Sequence, residues 1–280
     1  MVTLVLQKMK HFRYLFYVIY LSFLVACDTP DKLVNNLPDA TPDAMLHPYY
    51  QQIQQFPDSV LLYEILIDTL ANQGRYADAA RWCDSVMLRE KDQAFVWQLV
   101  KGDLFRMGKL YDSAVTAYHQ YLQVFPDDEQ VLLNLANTLA DKGDSSTLVL
   151  CKRIDVMFPN AETRSGTAYI VGLYYNMKGE YNIARRWLDS AISLKYTFKE
   201  AWFERGYSFF DEKKYKEAQA NFRQLTQIYS SDADAWYWMG KCAEALEQKE
   251  QALTYYARAY SLNRDITEAR RAMERLKKKG

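Results

Sequence analysis

Residues 233–264 read ADAWYWMGKCAEALEQKEQALTYYARAYSLNR, and the spacing inside this stretch decides the fold. Trp236, Met239, Gly240, Ala252, Tyr256 and Ala259 stand at offsets that recur upstream. In the frame 34 residues earlier stand Trp202, Gly206, Phe209, Tyr215, Ala218, Phe222 and Leu225. One period further back come Ala168, Gly172, Tyr175, Gly179, Tyr181, Ala184, Leu188 and Ala191. Such a pattern describes two helices that cross closely. Large residues on the first fill the gap to the second, and Gly or Ala permits the approach. One helix pair cannot bury both of its faces, so stacked copies must do it together.

Three more copies lie upstream. The first holds Tyr63, Leu66, Leu70, Gly74, Tyr76, Ala79, Cys83 and Val86. The second holds Trp97, Val100, Leu104, Gly108, Tyr111, Ala114 and Tyr118, with Pro126 closing it and an extra residue expected in its internal turn, GKLYDSA. The third has Leu132, Leu135, Ala136, Leu139 and Gly143, then Cys151 and Pro159, and is degenerate in its second helix. Its spacing to the fourth is stretched around Asn160 to Arg164, which marks a bend or hinge. Before the first copy, HPYYQQIQQFPDS reads as a lone second helix between Pro48 and Pro57. After the sixth, Asp265 is placed to cap a last helix through Lys278, with Ile266, Ala269, Met273 and Leu276 on one face.

The pattern resembles the tetratricopeptide repeat, whose W-x2-L-G-x2-Y…A-x3-F signature has a period of about 34 residues. The resemblance spans roughly 230 residues. It implies an all-α fold: a right-handed superhelix, or α-solenoid, of about six helix–turn–helix repeats with a C-terminal capping helix. The implied halves are residues 48–161 and 162–280.

Composition agrees with long helices. Apolar residues make up 49% of the 280, and 22 Tyr, 13 Phe and 6 Trp stand against 10 Gly and 7 Pro. Basic and acidic residues balance at 35 each, so no global field invites nucleic acid. Without residues 1–26, which carry Lys8, Lys10 and Arg13 and no acid, the balance is 32 against 35, a net charge of −3.

Residues 1–26 have the layout of a secretory signal, a basic start followed by an apolar run from Tyr14 to Ala26. Those 13 residues are too few to span a hydrocarbon core of ~30 Å as a helix. A start at Met9 would shorten the signal to ordinary proportions. Leu24-Val25-Ala26-Cys27 resembles the bacterial lipobox, which implies cleavage before Cys27 and its modification with fatty acyl chains. Two or three chains at ~0.8 kcal/mol per buried methylene anchor stably where one does not. Residues 27–47 then form a lipidated tether, rich in Asp and Pro and poor in apolar side chains. The expected address is the bacterial envelope, lipid-anchored, with the outer membrane favoured.

No constellation of residues reads as an active site. His11, His47 and His119 have no metal-pairing neighbour at helical spacing, and HExxH, CxxC and Gly-rich phosphate loops are absent. Cys83, Cys151 and Cys242 read as buried small hydrophobes. Neither a catalytic residue nor a metal nor a cofactor is therefore expected. In tetratricopeptide repeats the first helices line a concave groove, and four positions of each repeat face inward. Carried over, these give Tyr169, Leu173 and Asn176, then Phe203, Tyr207 and Phe210, then Tyr237, Lys241 and Glu244. The first three copies present Glu64 and Asp68, Gln98 and Phe105, Leu133 and Asn137. The lysine and asparagine positions with which chaperone-binding members clamp a C-terminal carboxylate are missing, which disfavours an acidic-tail ligand. An aromatic strip of this kind marks a binding surface unless neighbouring helices cover it. The expected function is a non-enzymatic envelope scaffold whose groove holds a partner protein or peptide. The alternative is glycan binding, with groove tyrosines stacking on sugar faces.

Overall fold

The computed structural model describes residues 46–278, so Cys27 and most of its tether lie outside the described residues. Every described helix falls where the repeat frame puts one. They are α1 (His47–Gln55), α2 (Val60–Asn72), α3 (Tyr76–Arg89), α4 (Ala94–Met107), α5 (Tyr111–Leu122), α6 (Glu129–Lys142) and α7 (Ser146–Met157). There follow α8 (Ala161–Met177), α9 (Tyr181–Leu194), α10 (Lys199–Asp211), α11 (Tyr215–Ile228), α12 (Ala233–Ala245), α13 (Lys249–Leu262) and α14 (Thr267–Lys278). The described residues contain no strand. The lone leading helix is present, with proline in its first turn.

Contacts divide the chain into two units, up to Val131 and from Leu132. The first buries Tyr63, Leu66, Leu70, Trp82, Cys83, Trp97 and Leu104 in one core. In the second, one core gathers Leu188, Trp202, Phe222, Leu225 and Met239, and a further one gathers Tyr256, Ala259, Ala269 and Leu276 under the last helix. Each unit is an all-α stack of helix pairs, as the period predicts.

A single close approach sets the geometry of the clear pairs. Gly102, Gly172, Gly206 and Gly240 of the first helices each face a large residue 16 positions on: Tyr118, Leu188, Phe222 and Tyr256. A methyl added at these glycines would lie 2.7, 2.7, 2.4 and 2.6 Å from those side chains, inside any tolerable contact. The large residue near the start of the first helix adds a tie as well as volume. Tyr63 Oη donates to the Pro57 carbonyl (3.1 Å), Trp202 Nε1 to that of Tyr196 (2.8 Å) and Trp236 Nε1 to that of Ser230 (3.0 Å). Each tie reaches six residues back and pins the loop entering the pair.

The turn inside each pair is also built one way. The first helix ends with an N–H reaching the carbonyl five residues back: Arg75 to Leu70, Leu110 to Phe105, Asp144 to Leu139, Glu180 to Tyr175, Lys214 to Phe209 and Gln248 to Ala243, all at 2.8–2.9 Å. The residue before each donor has positive φ. Gly74, Gly143 and Gly179 adopt this at no steric cost, whereas Lys109, Lys213 and Glu247 carry a strain of roughly 1–2 kcal/mol each.

These six turns are spaced by 35, 34, 36, 34 and 34 residues, and the two departures correct the sequence reading. The extra residue of the second copy is not in its turn, because Gly108–Leu110 is as long as Gln73–Arg75. It lies in α4, and the crossing glycine there is Gly102 rather than any residue of the expected frame. Gln98 and Phe105 therefore leave the groove register, and Leu99, Asp103 and Arg106 take the places that Tyr237, Lys241 and Glu244 hold in the last copy. The stretched spacing at Asn160–Arg164 forms no irregular linker. Asn160 caps α8 by accepting the Thr163 N–H (2.9 Å), and the added residues extend that helix to 17. Asp265 caps nothing with its side chain. Its own N–H donates to Asn263 Oδ1 (2.9 Å), and α14 begins two residues later.

Substituting Gly206→Ala or Gly240→Ala should lower the unfolding free energy by up to about 2 kcal/mol. The overpacking cost of ~1–3 kcal/mol exceeds the ~1 kcal/mol gained in helix propensity. Urea unfolding followed by circular dichroism reads the shift in midpoint.

Candidate partner-binding groove

The expected groove residues share one face of α8, α10 and α12, but they are packed to different depths. Leu173 is buried, leaving it no surface to offer a partner. Tyr169 is half-buried, with its ring 5.0 Å from that of Phe198. Asn176 donates from Nδ2 to the Glu204 carbonyl and carboxylate, both at 3.1 Å, while its Oδ1 has no partner. Phe203, Tyr207, Phe210, Tyr237 and Lys241 are all half-buried and form a continuous strip.

Trp238 holds that strip together. Its ring centroid lies 4.6 Å from Tyr207, 5.3 Å from Phe210 and 5.8 Å from Phe222, the last nearly parallel. Lys241 Nζ sits 4.1 Å from the Trp238 centroid and 5.1 Å from that of Phe210. An ammonium over two aromatic faces is held by cation–π attraction of ~0.5–1 kcal/mol at such exposure. The aromatic surface is thus partly covered from within the chain.

Trp238 and Glu204 were not groove candidates, and one rule places both. Each stands at the sixth position of its repeat and meets the twelfth position of the preceding one, 28 residues upstream: Glu204 with Asn176, and Trp238 with Phe210. Their signal was a tryptophan and a glutamate at one shared offset, too unlike each other to register as a pattern.

After the last repeat the described residues hold α14 alone, and here the arrangement changes. Glu244, at its twelfth position, accepts two hydrogen bonds from Arg275 Nη2 of α14 (2.5 and 2.8 Å) and one from Tyr256 Oη (2.9 Å). The residue 28 positions beyond Glu244 is Ala272, too small to act as Trp238 does. A cleft of about 430 Å³ opens there, bounded by Phe210, Tyr237, Lys241 and Ala272, with Arg271 and Glu268 at its rim.

Tyr207, Tyr237 and Glu204 on this face are perturbed, and burial raises the Tyr207 hydroxyl, with the charge of Glu204 adding to it. Burial raises the Tyr237 hydroxyl, aided by the charges of Glu268 and Glu244. Burial also raises the Glu204 carboxyl; the Asn176 hydrogen bond opposes it, and Asp141 and Asp211 add to it. Among the described residues, no group of three His, Cys, Asp or Glu is placed to hold a metal. Cys83, Cys151 and Cys242 are free and buried, as the repeat frame predicts, and burial pushes the Cys151 and Cys242 thiols up to about 12. His119 is exposed on α5. No described helix is long and apolar enough to cross a membrane.

The raised Glu204 carboxyl has a stability consequence with a definite sign. The folded chain holds that proton more tightly than the unfolded chain, so ionisation destabilises the fold increasingly as pH rises above the ordinary carboxylate value of 4.5. Glu204→Gln keeps the acceptor for Asn176 and removes the charge. It should be more stable than the parent at pH 7, with the advantage fading as pH falls to ~4. Thermal unfolding measured across that range checks it.

The tetratricopeptide repeat family profile matches residues 203–265, which contain the strip but not the α14 side of the cleft. No curated protein matches the sequence. Among solved structures, a tetratricopeptide repeat protein from Parabacteroides merdae is 15% identical at a TM-score of 0.58, over 82% of this chain and 90% of that one. PilW, a type IV pilus biogenesis factor, is 16% identical at 0.55, over 81% and 97%. A thermophilic repeat protein of Thermus thermophilus is 19% identical at 0.52, over 64% and 96%. At these identities the likeness is one of fold. Residues 203–265 thus match the tetratricopeptide repeat family, and the described helix pairs share the fold of these repeat structures.

Proposed function

We propose that this chain is a non-catalytic scaffold of the bacterial envelope, tethered to a membrane through lipidated Cys27 and holding a protein segment against the first-helix face of its last three repeats. The observation that carries the reading is the strip Phe203, Tyr207, Phe210, Tyr237 and Lys241, which ends in an open cleft. Half-buried aromatic side chains fixed in place by their neighbours give contact area at little entropic cost, which is what interface anchors require. A glycan would need an open ring face. The rings of Tyr207 and Phe210 are already engaged by Trp238, tilted and edge-on, which is why a protein segment is preferred.

The groove reading is tested by photocrosslinking in the native cell. A benzoylphenylalanine at position 237 should trap a protein partner, whereas one at the exposed Ala220 of α11 should not. Equal labelling from both sites, or none from position 237, would remove it. The anchor is tested separately. Cys27→Ser should abolish fatty-acid labelling and release the protein from the membrane fraction, and continued labelling would refute that half of the proposal.

A further inference from the structure

Among the described residues, the cleft beside Ala272 is left without the cover that the next first helix gives the rest of the strip. In the two preceding junctions the sixth-position residue fills the space above the twelfth, Glu204 over Asn176 and Trp238 over Phe210. At the last junction that place falls to Ala272, whose side chain ends at Cβ. The floor and walls are already apolar, supplied by Phe210, Tyr237 and Ala245. A void of about 430 Å³ falls in the ~300–1,000 Å³ range of ligand sites.

Charge adds a second requirement. Lys241, Arg271 and Arg275 line the cleft against Glu244 and Glu268, an excess of one positive charge. Arg275 is engaged by Glu244 through two hydrogen bonds. Lys241 meets only aromatic rings, and neither it nor Arg271 has a carboxylate within ion-pair distance among the described residues. One face of the Lys241 ammonium is on the rings, and cations so placed take a carboxylate through charge-assisted hydrogen bonds.

We infer that the cleft receives a side-chain pair from the partner protein: a bulky apolar residue in the place a seventh-repeat tryptophan would take, with an adjacent Asp or Glu on Lys241 and Arg271. This rests on the groove reading above and names the chemistry of its occupant. It differs from a carboxylate-tail clamp, because the apolar side chain fills the void and the carboxylate belongs to an internal acidic residue.

The test pans a random peptide library, amidated at its C-termini, on the full chain in detergent. Recovered peptides should carry Asp or Glu next to an aromatic or large aliphatic residue. The double variant Lys241→Glu/Arg271→Glu should bind such a peptide at least tenfold more weakly, and panned afresh it should select Lys or Arg in place of the acid. Ala272→Leu, which fills the void from inside, should also weaken the same peptide at least tenfold while circular dichroism stays unchanged. If Ala272→Leu unfolds the chain, the charge-reversal pair alone decides, since both of its residues contact solvent. Recovery of no peptide, peptides without an acidic residue, or a preference unchanged by charge reversal would each overturn the inference. None of these results touches the crosslink at position 237, on which the groove reading stands or falls.

Discussion

The fold depends on helices brought close enough for a ring to lie on backbone. Gly206 faces Phe222 and Gly240 faces Tyr256, and in both pairs the space a methyl would need is already occupied. Helix axes usually lie 8–10 Å apart, and a glycine at the crossing sets the lower end of that range. The closeness fixes where the rest of each pair can go. Ala218 and Ala252 are fully buried, where larger side chains would push the helices apart, and Trp202 and Trp236 tie down the incoming loop. Glycine within a helix costs ~1 kcal/mol in propensity, so its repeated use there is explained only by this contact.

Close pairing in turn decides how one pair meets the next. Because successive first helices repeat at 34 residues in this region, the sixth position of one always reaches the twelfth of its predecessor. That contact is polar between Asn176 and Glu204, and aromatic between Phe210 and Trp238. At the end of the stack Glu244 pairs instead with Arg275, 31 residues on, while α14 closes the core through Ala269, Ala272 and Leu276 without a bulky wedge. A repeat array needs such a terminal element to protect its last apolar face. Closing the array with alanines covers that face and leaves the cleft beside it.

The architecture was legible because its signal is redundant. Trp202 and Trp236, Gly206 and Gly240, Ala218 and Ala252 each say the same thing at one period, so a single degenerate position cannot hide the frame. Where only one residue carries the information, reading failed. In α4 the crossing residue is Gly102, but Gly108 six residues later is also a glycine, and spacing alone could not show which lies under Tyr118. Asp265 looked like a cap because aspartate favours that role, yet the chain uses Asn263 to shape the same loop. Trp238 was legible as a large residue but not as the cover of Tyr207 and Phe210, since that contact is tertiary and 28–31 residues long. The groove positions came from family resemblance, which supplies a direction for each side chain and no depth. Hence Leu173 was grouped with Lys241 although only one of them reaches solvent.

The same distinction separates scaffold from function along the last repeat. Gly240, Ala243, Ala252 and Ala259 keep the pattern and are buried, so changing them alters the fold before it alters any surface. Lys241 and Arg271 are set by no packing requirement of the repeat. A stack closed only for stability could place an alkyl residue at 241, over Trp238, and a large apolar residue at 272. It has instead a cation held on rings and a gap beside it, both more polar or more open than packing requires. Features that stability alone would remove are the ones to assign to a partner.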